Sequence, residues 1–371
     1  MATPKDLAAI GQCLSNPLDG RAIAERAFAG VIGDAPSHYS KSPALWNAAF
    51  KHLQLNAVYL PFDVEIARLG DLLHSLKNCD TFLGANVTVP HKVRVMELLD
   101  SIDPSARRIQ AVNTIVRSHD GKLIGYNTDG AGFVDSILKL QPDRPERFLA
   151  SLEGMNVLLL GAGGAARAVA FQVADELQGG KLIICNRTAK HASSLAVDIQ
   201  KSGQNAQAIN EEELPKWAPS VGLIVNCTIK GQGGMPRLPE GTAILLEPYS
   251  ALAPAHPAAW AAMTTDQLGA ERNWQKAARD DIESNNRASM KIAESVPQHV
   301  RFYDLIYHPK ETVFLRHAKL TGHPTMNGKA MIINQAVIAL CRRICSAQLS
   351  ARGLDTLNTY NEILDVMYSA W

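Results

Sequence analysis

Short apolar runs alternate along the chain with longer stretches whose apolar residues follow a helical period. In the first part Gly30–Gly33, Ala57–Phe62, Phe82–Val87 and Val112–Val116 read as strands, and Pro43–Leu53, Ile66–Leu76, Val93–Leu99 and Gly130–Leu140 as helices. Such alternation predicts parallel β-α-β units. His119-Asp120-Gly121-Lys122, between two apolar runs, predicts a hairpin turn. The polar, proline-containing stretch Gln141–Arg147 marks a boundary between halves. Beyond it, Met155–Leu160, Lys181–Cys185, Val221–Asn226, Thr242–Leu246 and Phe302–Tyr307 predict strands, and Thr312–Leu320, Asn327–Ser346 and Leu354–Tyr368 predict helices. The expected fold class is α/β with two domains. Residues 1–129 plus 330–371 form an N-terminal α/β domain, and residues 130–329 a doubly wound parallel sheet. Residues from about 248 to 299 are an insertion. They hold Pro254, Pro257, Trp260 and Trp274, with sparse apolar positions at Leu268, Ile282, Met290 and Ile292. One or two mostly exposed helices decorating the second domain are expected there, with partner binding as the alternative.

Met155–Leu160 ends directly in Gly161-Ala162-Gly163-Gly164-Ala165-Ala166, a G-x-G-x-x-A sequence that opens an Ala-rich helix. The strand before and the helix after give this sequence its meaning. Gly161, Gly163 and Gly164 let the backbone approach a pyrophosphate, and the helix start at Ala165 and Ala166 supplies N–H groups and a positive dipole end. Dinucleotide binding is expected rather than a bare packing turn. An acid at the end of the next strand usually accepts the ribose 2′-hydroxyl of NAD. Asn186-Arg187-Thr188-Ala189-Lys190 stands there instead, and its guanidinium and ammonium suit a 2′-phosphate. NADP is therefore the expected cofactor; a solvated basic turn is the bland alternative.

Gly84-Ala85-Asn86-Val87-Thr88-Val89-Pro90-His91-Lys92 passes from a strand into a proline suited to a first helical turn. Asn86, Thr88 and Lys92 thus stand at a strand exit, where open α/β sheets bind ligands. Two short polar side chains and an ammonium suit an oxygen-rich small molecule. An ordinary strand-turn-helix with a surface lysine is the alternative.

A length of 371 residues suits two domains, and a formal net charge of +1 gives no reason to expect nucleic acid or a membrane surface as partner. The six cysteines are scattered without a CxxC pair, so free thiols are expected and no metal site. Residues 1–26 lack an uninterrupted apolar core, which predicts neither secretion nor an anchor and points to a cytoplasmic protein.

Taken in order with Tyr39-Ser40-Lys41-Ser42-Pro43, Ala111-Val112-Asn113-Thr114, Asn127-Thr128-Asp129-Gly130, Asp304-Leu305-Ile306-Tyr307 and Asn334-Gln335, these motifs resemble the shikimate dehydrogenase family of shikimate and quinate dehydrogenases. The resemblance runs from about residue 28 to 345, apart from the insertion. It implies an NADP-dependent, reversible reduction of 3-dehydroshikimate to shikimate. Residues 1–129 plus 330–371 would be the substrate domain and 130–329 the cofactor domain. Ketone reduction needs a proton for the alkoxide oxygen, which a lysine ammonium can supply and a carboxylate can orient. The resemblance gives these parts to Lys92 and Asp129, against a plain salt bridge. It gives the substrate carboxylate to Ser40 and Ser42, the ring hydroxyls to Asn86, Thr88, Asn113 and Gln335, closure of the site to Tyr307, and a place near the nicotinamide to Thr228. Ser40 and Ser42 together favour shikimate over quinate. Ile229 in place of a family Ser, a late Met235, Lys190 and His191 in place of a further Arg, Gln110 in place of Gly and Lys329 in place of a smaller residue depart from the pattern. The alternatives are a quinate or quinate/shikimate dehydrogenase working oxidatively, and a non-catalytic metabolite sensor, which need not retain both Lys92 and Asp129. A monomer or homodimer is expected.

Overall fold

The computed structural model describes residues 2–23, 25–234, 243–257, 259–260 and 273–371. The chain divides into two compact units, Met1–Arg147 with Ala330–Trp371, and Phe148–Lys329.

In the first unit, β1 (Ala27–Gly33), β2 (Ala57–Asp63), β3 (Phe82–Val87), β4 (Ser101–Ile102), β5 (Thr114–Arg117) and β6 (Leu123–Tyr126) form one sheet in the order β2-β1-β3-β5-β6-β4. β1 is parallel to β2 and β3, but β5 runs antiparallel to β3 and β6. The sheet is therefore mixed where alternation alone predicts parallel pairing. The hairpin turn accounts for the antiparallel β5/β6 pair. Ser118 N–H donates to the Lys122 carbonyl at 2.8 Å, and Gly121 takes φ +80°, so β6 must return alongside β5. Phe28, Ile32, Phe62, Leu72, Val87 and Ile115 build the core. The helix Leu69–Lys77 contributes Leu69, Leu72, Leu73 and Leu76, all buried at helical spacing. Complete burial of each such leucine stabilises the fold by about 1.5–3 kcal/mol.

The expected break after Asp129 falls instead after Arg147. The helix Asp129–Leu138 buries Phe133, Val134 and Ile137 in the first unit. Its Gly132 lies so close to the helix Lys329–Ala339 that a Cβ there would sit 2.6 Å from the Gln335 backbone nitrogen. Two helix backbones in near contact cannot be assigned to separate units.

The second unit contains β7 (Val157–Leu160), β8 (Leu182–Cys185), β9 (Ala206–Ile209), β10 (Leu223–Asn226), β11 (Ala243–Ile244), β12 (Ala259–Trp260), β13 (Arg301–Asp304) and β14 (Thr325–Met326). Six of these form an all-parallel sheet in the order β14-β13-β10-β7-β8-β9, and β11 pairs with β12 as a separate antiparallel ribbon. β7, β8 and β10 are buried along their whole lengths, as strands covered on both faces must be. Strand order reverses between β7 and β10, which opens a crevice beyond their carboxyl ends.

The insertion keeps most of its described helical residues out of the core, as expected, but the face it buries is not simply apolar. Its helix Arg279–Ser295 buries Asn285, Ser289, Ile292 and Ala293. Half of that inner face is polar, so an apolar period does not reveal it. Met235 and Leu268 lie outside the described residues. Among the described residues, no helix is long and apolar enough to cross a membrane, and no His/Cys/Asp/Glu cluster could hold a metal.

Candidate active site

β3 ends at Val87, and the chain passes through a cis Val89–Pro90 bond into the short helix His91–Arg94, which carries Lys92. Asp129 opens the helix Asp129–Leu138, where its amide donates to Asn127 Oδ1 at 3.0 Å. The Lys92 ammonium donates to Asp129 Oδ2 at 2.6 Å. Asn113 Nδ2 donates to Asp129 Oδ1 at 2.7 Å and lies 3.1 Å from Thr128 Oγ1 and 3.3 Å from Gln335 Oε1. Asn113 Oδ1 accepts the Thr128 amide at 2.8 Å, which fixes the amide's orientation. Both carboxylate oxygens of Asp129 are thus engaged, while the ammonium gives Asp129 one of its three hydrogens. The Lys92 side chain is 18% exposed and has no second hydrogen-bond acceptor among the described residues, so hydrogens remain for an incoming oxygen.

Asn86 is buried at the end of β3. Its Oδ1 accepts the Tyr59 hydroxyl at 2.7 Å, and its Nδ2 donates to Thr114 Oγ1 at 3.2 Å. Burial pushes the Tyr59 hydroxyl well above its ordinary pKa, so it stays protonated and donating. Tyr59 stacks on Trp46 with ring centroids 4.6 Å apart. Ser40 and Ser42 flank the start of the helix Ser42–His52, and the Ser42 amide donates to Ser40 Oγ at 3.2 Å. Thr88 packs against Gly33, where a Cβ would meet its methyl at 2.5 Å. Gln335, buried in the helix Lys329–Ala339, accepts from Asn113 and also from Thr128 Oγ1 at 3.3 Å. The first unit therefore joins Lys92, Asp129, Asn113 and Gln335 in one hydrogen-bonded cluster. Tyr59, Thr114 and Thr128 belong to the same network and escape sequence reading, because a strand tyrosine or turn threonine shows its partner only in three dimensions. Gln110 ends the helix Pro104–Ile109 in the left-handed region (φ +63°, ψ +35°), the conformation that favours glycine at that position.

In the second unit a cavity of ≈ 370 Å³ lies at the β7/β10 reversal, lined by Gly161, Gly163, Asn186, Arg187, Thr188 and Thr228, among others. Gly161 has φ +112°, and a Cβ there would meet the Cys227 carbonyl and the Thr228 methyl at 3.1 Å. Gly163 and Gly164 differ: a Cβ on either would meet nothing within 4 Å. Neither protein packing nor a positive φ requires glycine at these two positions. Their bare backbone leaves an open cradle at the start of the helix Gly164–Glu176, suited to a pyrophosphate. Ala165 and Ala166 add first-turn backbone to it. Arg187 is exposed and has no carboxylate partner among the described residues, whereas Arg167 is paired with Asp198 at 2.9 Å. The donor set fits a nucleotide carrying extra phosphate. Lys190 does not line the cavity; His191 does. The helix Ala189–Lys201 has already begun, and one helical step of about 100° separates the two.

Behind this crevice, Asn226 Oδ1 accepts both the amide and the hydroxyl of Thr228, at 2.9 and 2.7 Å. Its Nδ2 donates to Asp304 Oδ1 at 2.9 Å. Asp304, fully buried at the end of β13, also accepts from Ile306 N at 3.0 Å and Thr312 Oγ1 at 2.6 Å. Burial pushes its carboxyl up to about 7 against the pull of these three hydrogen bonds. Tyr307 is half-buried just beyond β13, and burial raises its hydroxyl pKa.

Residues 31–115 match the family described as shikimate dehydrogenase substrate binding domain, and residues 144–232 match shikimate / quinate 5-dehydrogenase. A shikimate dehydrogenase (NADP(+)) of Desulforamulus reducens is 37% identical over 84% of this chain and 87% of its own length. One of Carboxydothermus hydrogenoformans is 36% identical over 85% of this chain and 90% of its own. A crystal structure of shikimate 5-dehydrogenase from Thermus thermophilus, in complex with NADP(H) and shikimate, is 26% identical and covers 93% of this chain and 99% of its own, with a TM-score of 0.62. Relatives so similar over so much of both chains leave one assignment: the chain belongs to the shikimate dehydrogenase family.

Proposed function

We propose that this chain catalyses the reversible NADP-dependent reduction of 3-dehydroshikimate to shikimate, as the names of its relatives state for them. Bound NADPH supplies the hydride for the carbonyl carbon. Lys92 stabilises the developing alkoxide and delivers the proton from Nζ. Asp129 holds that ammonium in place, and Asn113 holds Asp129 through the carboxylate's other oxygen. The observation that carries the reading is this pair: an ammonium anchored at 2.6 Å by a carboxylate whose second oxygen is already occupied. Ser40 and Ser42 take the substrate carboxylate, and Asn86, Thr88, Asn113, Tyr307 and Gln335 take hydroxyl groups or close the site. Gly161, Gly163, Gly164, Ala165 and Ala166 hold the pyrophosphate. Asn186, Arg187 and Thr188 read the 2′-phosphate end, and Thr228 the nicotinamide end. A cytoplasmic setting, expected from scattered cysteines, belongs to the same proposal.

Quinate is not the favoured substrate, since the relatives that cover most of this chain are named for shikimate. A steady-state assay of shikimate and quinate with NADP+ and with NAD+ tests the reading. The expected result is the highest kcat/KM for shikimate with NADP+. Oxidation of quinate at higher kcat/KM, or no oxidation of either, overturns it.

A further inference from the structure

The inserted segment forms part of the nucleotide cavity. Ala251 and Pro257 line it, beside Ile244 and Leu246 just before the insertion and beside Glu211 and Lys230. Glu211 follows β9, the strand beyond the one that carries Arg187. A free carboxylate in this cavity would repel a 2′-phosphate, and carboxylates are the groups that select the 2′-hydroxyl of NAD. Glu211 is not free. Lys230 Nζ donates to Glu211 Oε1 at 2.6 Å and to the Ala253 carbonyl at 3.0 Å, and both charged side chains are largely buried (11% and 14% exposed).

Ala253 is itself held from behind. Asn285 Nδ2 donates to the carbonyls of Ser250, Ala253 and Pro254 at 3.1, 3.0 and 2.8 Å, and Asn285 Oδ1 accepts the Ser250 amide at 2.8 Å. Ser289, one turn on in the same helix, donates to Ser250 Oγ at 2.7 Å. Asn285, Ser250 and Ser289 are buried. One continuous series of contacts thus runs from the helix Arg279–Ser295 through the 250–254 loop to Lys230 and Glu211.

We propose that Lys230, fixed by the inserted segment through Ala253, is a specificity-determining residue that neutralises Glu211 and so keeps the nucleotide cavity open to a 2′-phosphate. The insertion thereby sets cofactor choice rather than decorating the unit. This rests on the reading that the chain uses NADP.

The test is direct binding of NADP+ and NAD+ by isothermal titration calorimetry, without substrate, on the full chain. Lys230→Met unmasks Glu211 and should weaken NADP+ roughly tenfold, the scale of one unscreened like charge in the same cavity, with NAD+ changed by less than about twofold. Adding Glu211→Gln to that variant removes the acid and should restore NADP+ binding to within about threefold of wild type. A purely structural ion pair would not produce this split between cofactors, nor the rescue. If Lys230→Met fails to fold, Glu211→Gln alone decides: NADP+ should bind as tightly as in wild type or more so, and weaker binding overturns the proposal. A wild type that binds NAD+ as tightly as NADP+ overturns the cofactor reading and this proposal together. A wild type that prefers NADP+, with an unchanged preference in Lys230→Met or no rescue in the double variant, overturns this proposal alone.

Discussion

Asp304→Asn tests the interior of the second unit. The Asp304 carboxyl stands at about 7 in the fold, against an ordinary value of 3.8. A group whose folded-state pKa is raised binds its proton more tightly when native. Its contribution to stability is complete below about pH 4, declines as pH rises, and is gone above about pH 7. The gap of 7 − 3.8 = 3.2 pH units corresponds to about 4 kcal/mol in all. More than half of that falls between pH 5 and pH 8. Asn has nearly the same shape and cannot ionise. The unfolding free energy of the variant, relative to wild type, should therefore climb by about 2–3 kcal/mol over that interval. Urea unfolding followed by circular dichroism at pH 5, 6.5 and 8 measures it. Any constant loss from the altered contact with Thr312 cancels in the pH difference. A difference between the two proteins that stays flat across these pH values refutes the reasoning. It would mean that Asn226, Ile306 and Thr312 together hold the carboxylate ionised in spite of its burial.

Lys92→Ala should lower kcat by ~10²-fold or more, the scale of a general acid, while KM changes less; near-full kcat removes Lys92 from the proton transfer. Ser40→Ala and Ser42→Ala should each raise KM for shikimate by the equivalent of about 1–3 kcal/mol and leave the cofactor KM in place. Unchanged substrate kinetics in the double variant reject both serines as carboxylate ligands. Arg187→Ala should weaken NADP+ roughly 10- to 150-fold in a binding titration and leave NAD+ nearly unchanged. An equal loss for both nucleotides would place Arg187 elsewhere than at the 2′-phosphate.

The alternation of apolar runs was enough to read most strands around both sites, though not β9 or the helices Pro4–Cys13 and Ala189–Lys201, and the glycine-rich turn could be placed because it sits between a buried strand and a helix. Lys92 and Asp129 were legible because each lies in a short polar motif at an element boundary. What stayed hidden depends on direction and depth. The Asp120-Gly121 turn told that β5 and β6 pair as a hairpin, but not that β5 runs against β3. Asn285 and Ser289 look like surface residues in sequence and are buried because each finds a polar partner. Lys190 reads as a phosphate ligand by charge, but helical rotation gives the cavity wall to His191. Glu211 and Lys230 are 19 residues apart, and neither carries a motif that announces the other.

The first unit is assembled from two stretches of chain separated by the whole of the second. A ribosome working at about 5–20 residues per second must deliver Phe148–Lys329 before the helix that carries Gln335 emerges. The bonds that Gln335 accepts from Asn113 and Thr128 span 222 and 207 residues. A nascent chain therefore has every strand of the parallel sheet in hand while Asn113 and Thr128 still wait for their acceptor. The nucleotide crevice can mature during translation; the cluster around Lys92 and Asp129 is completed only after it.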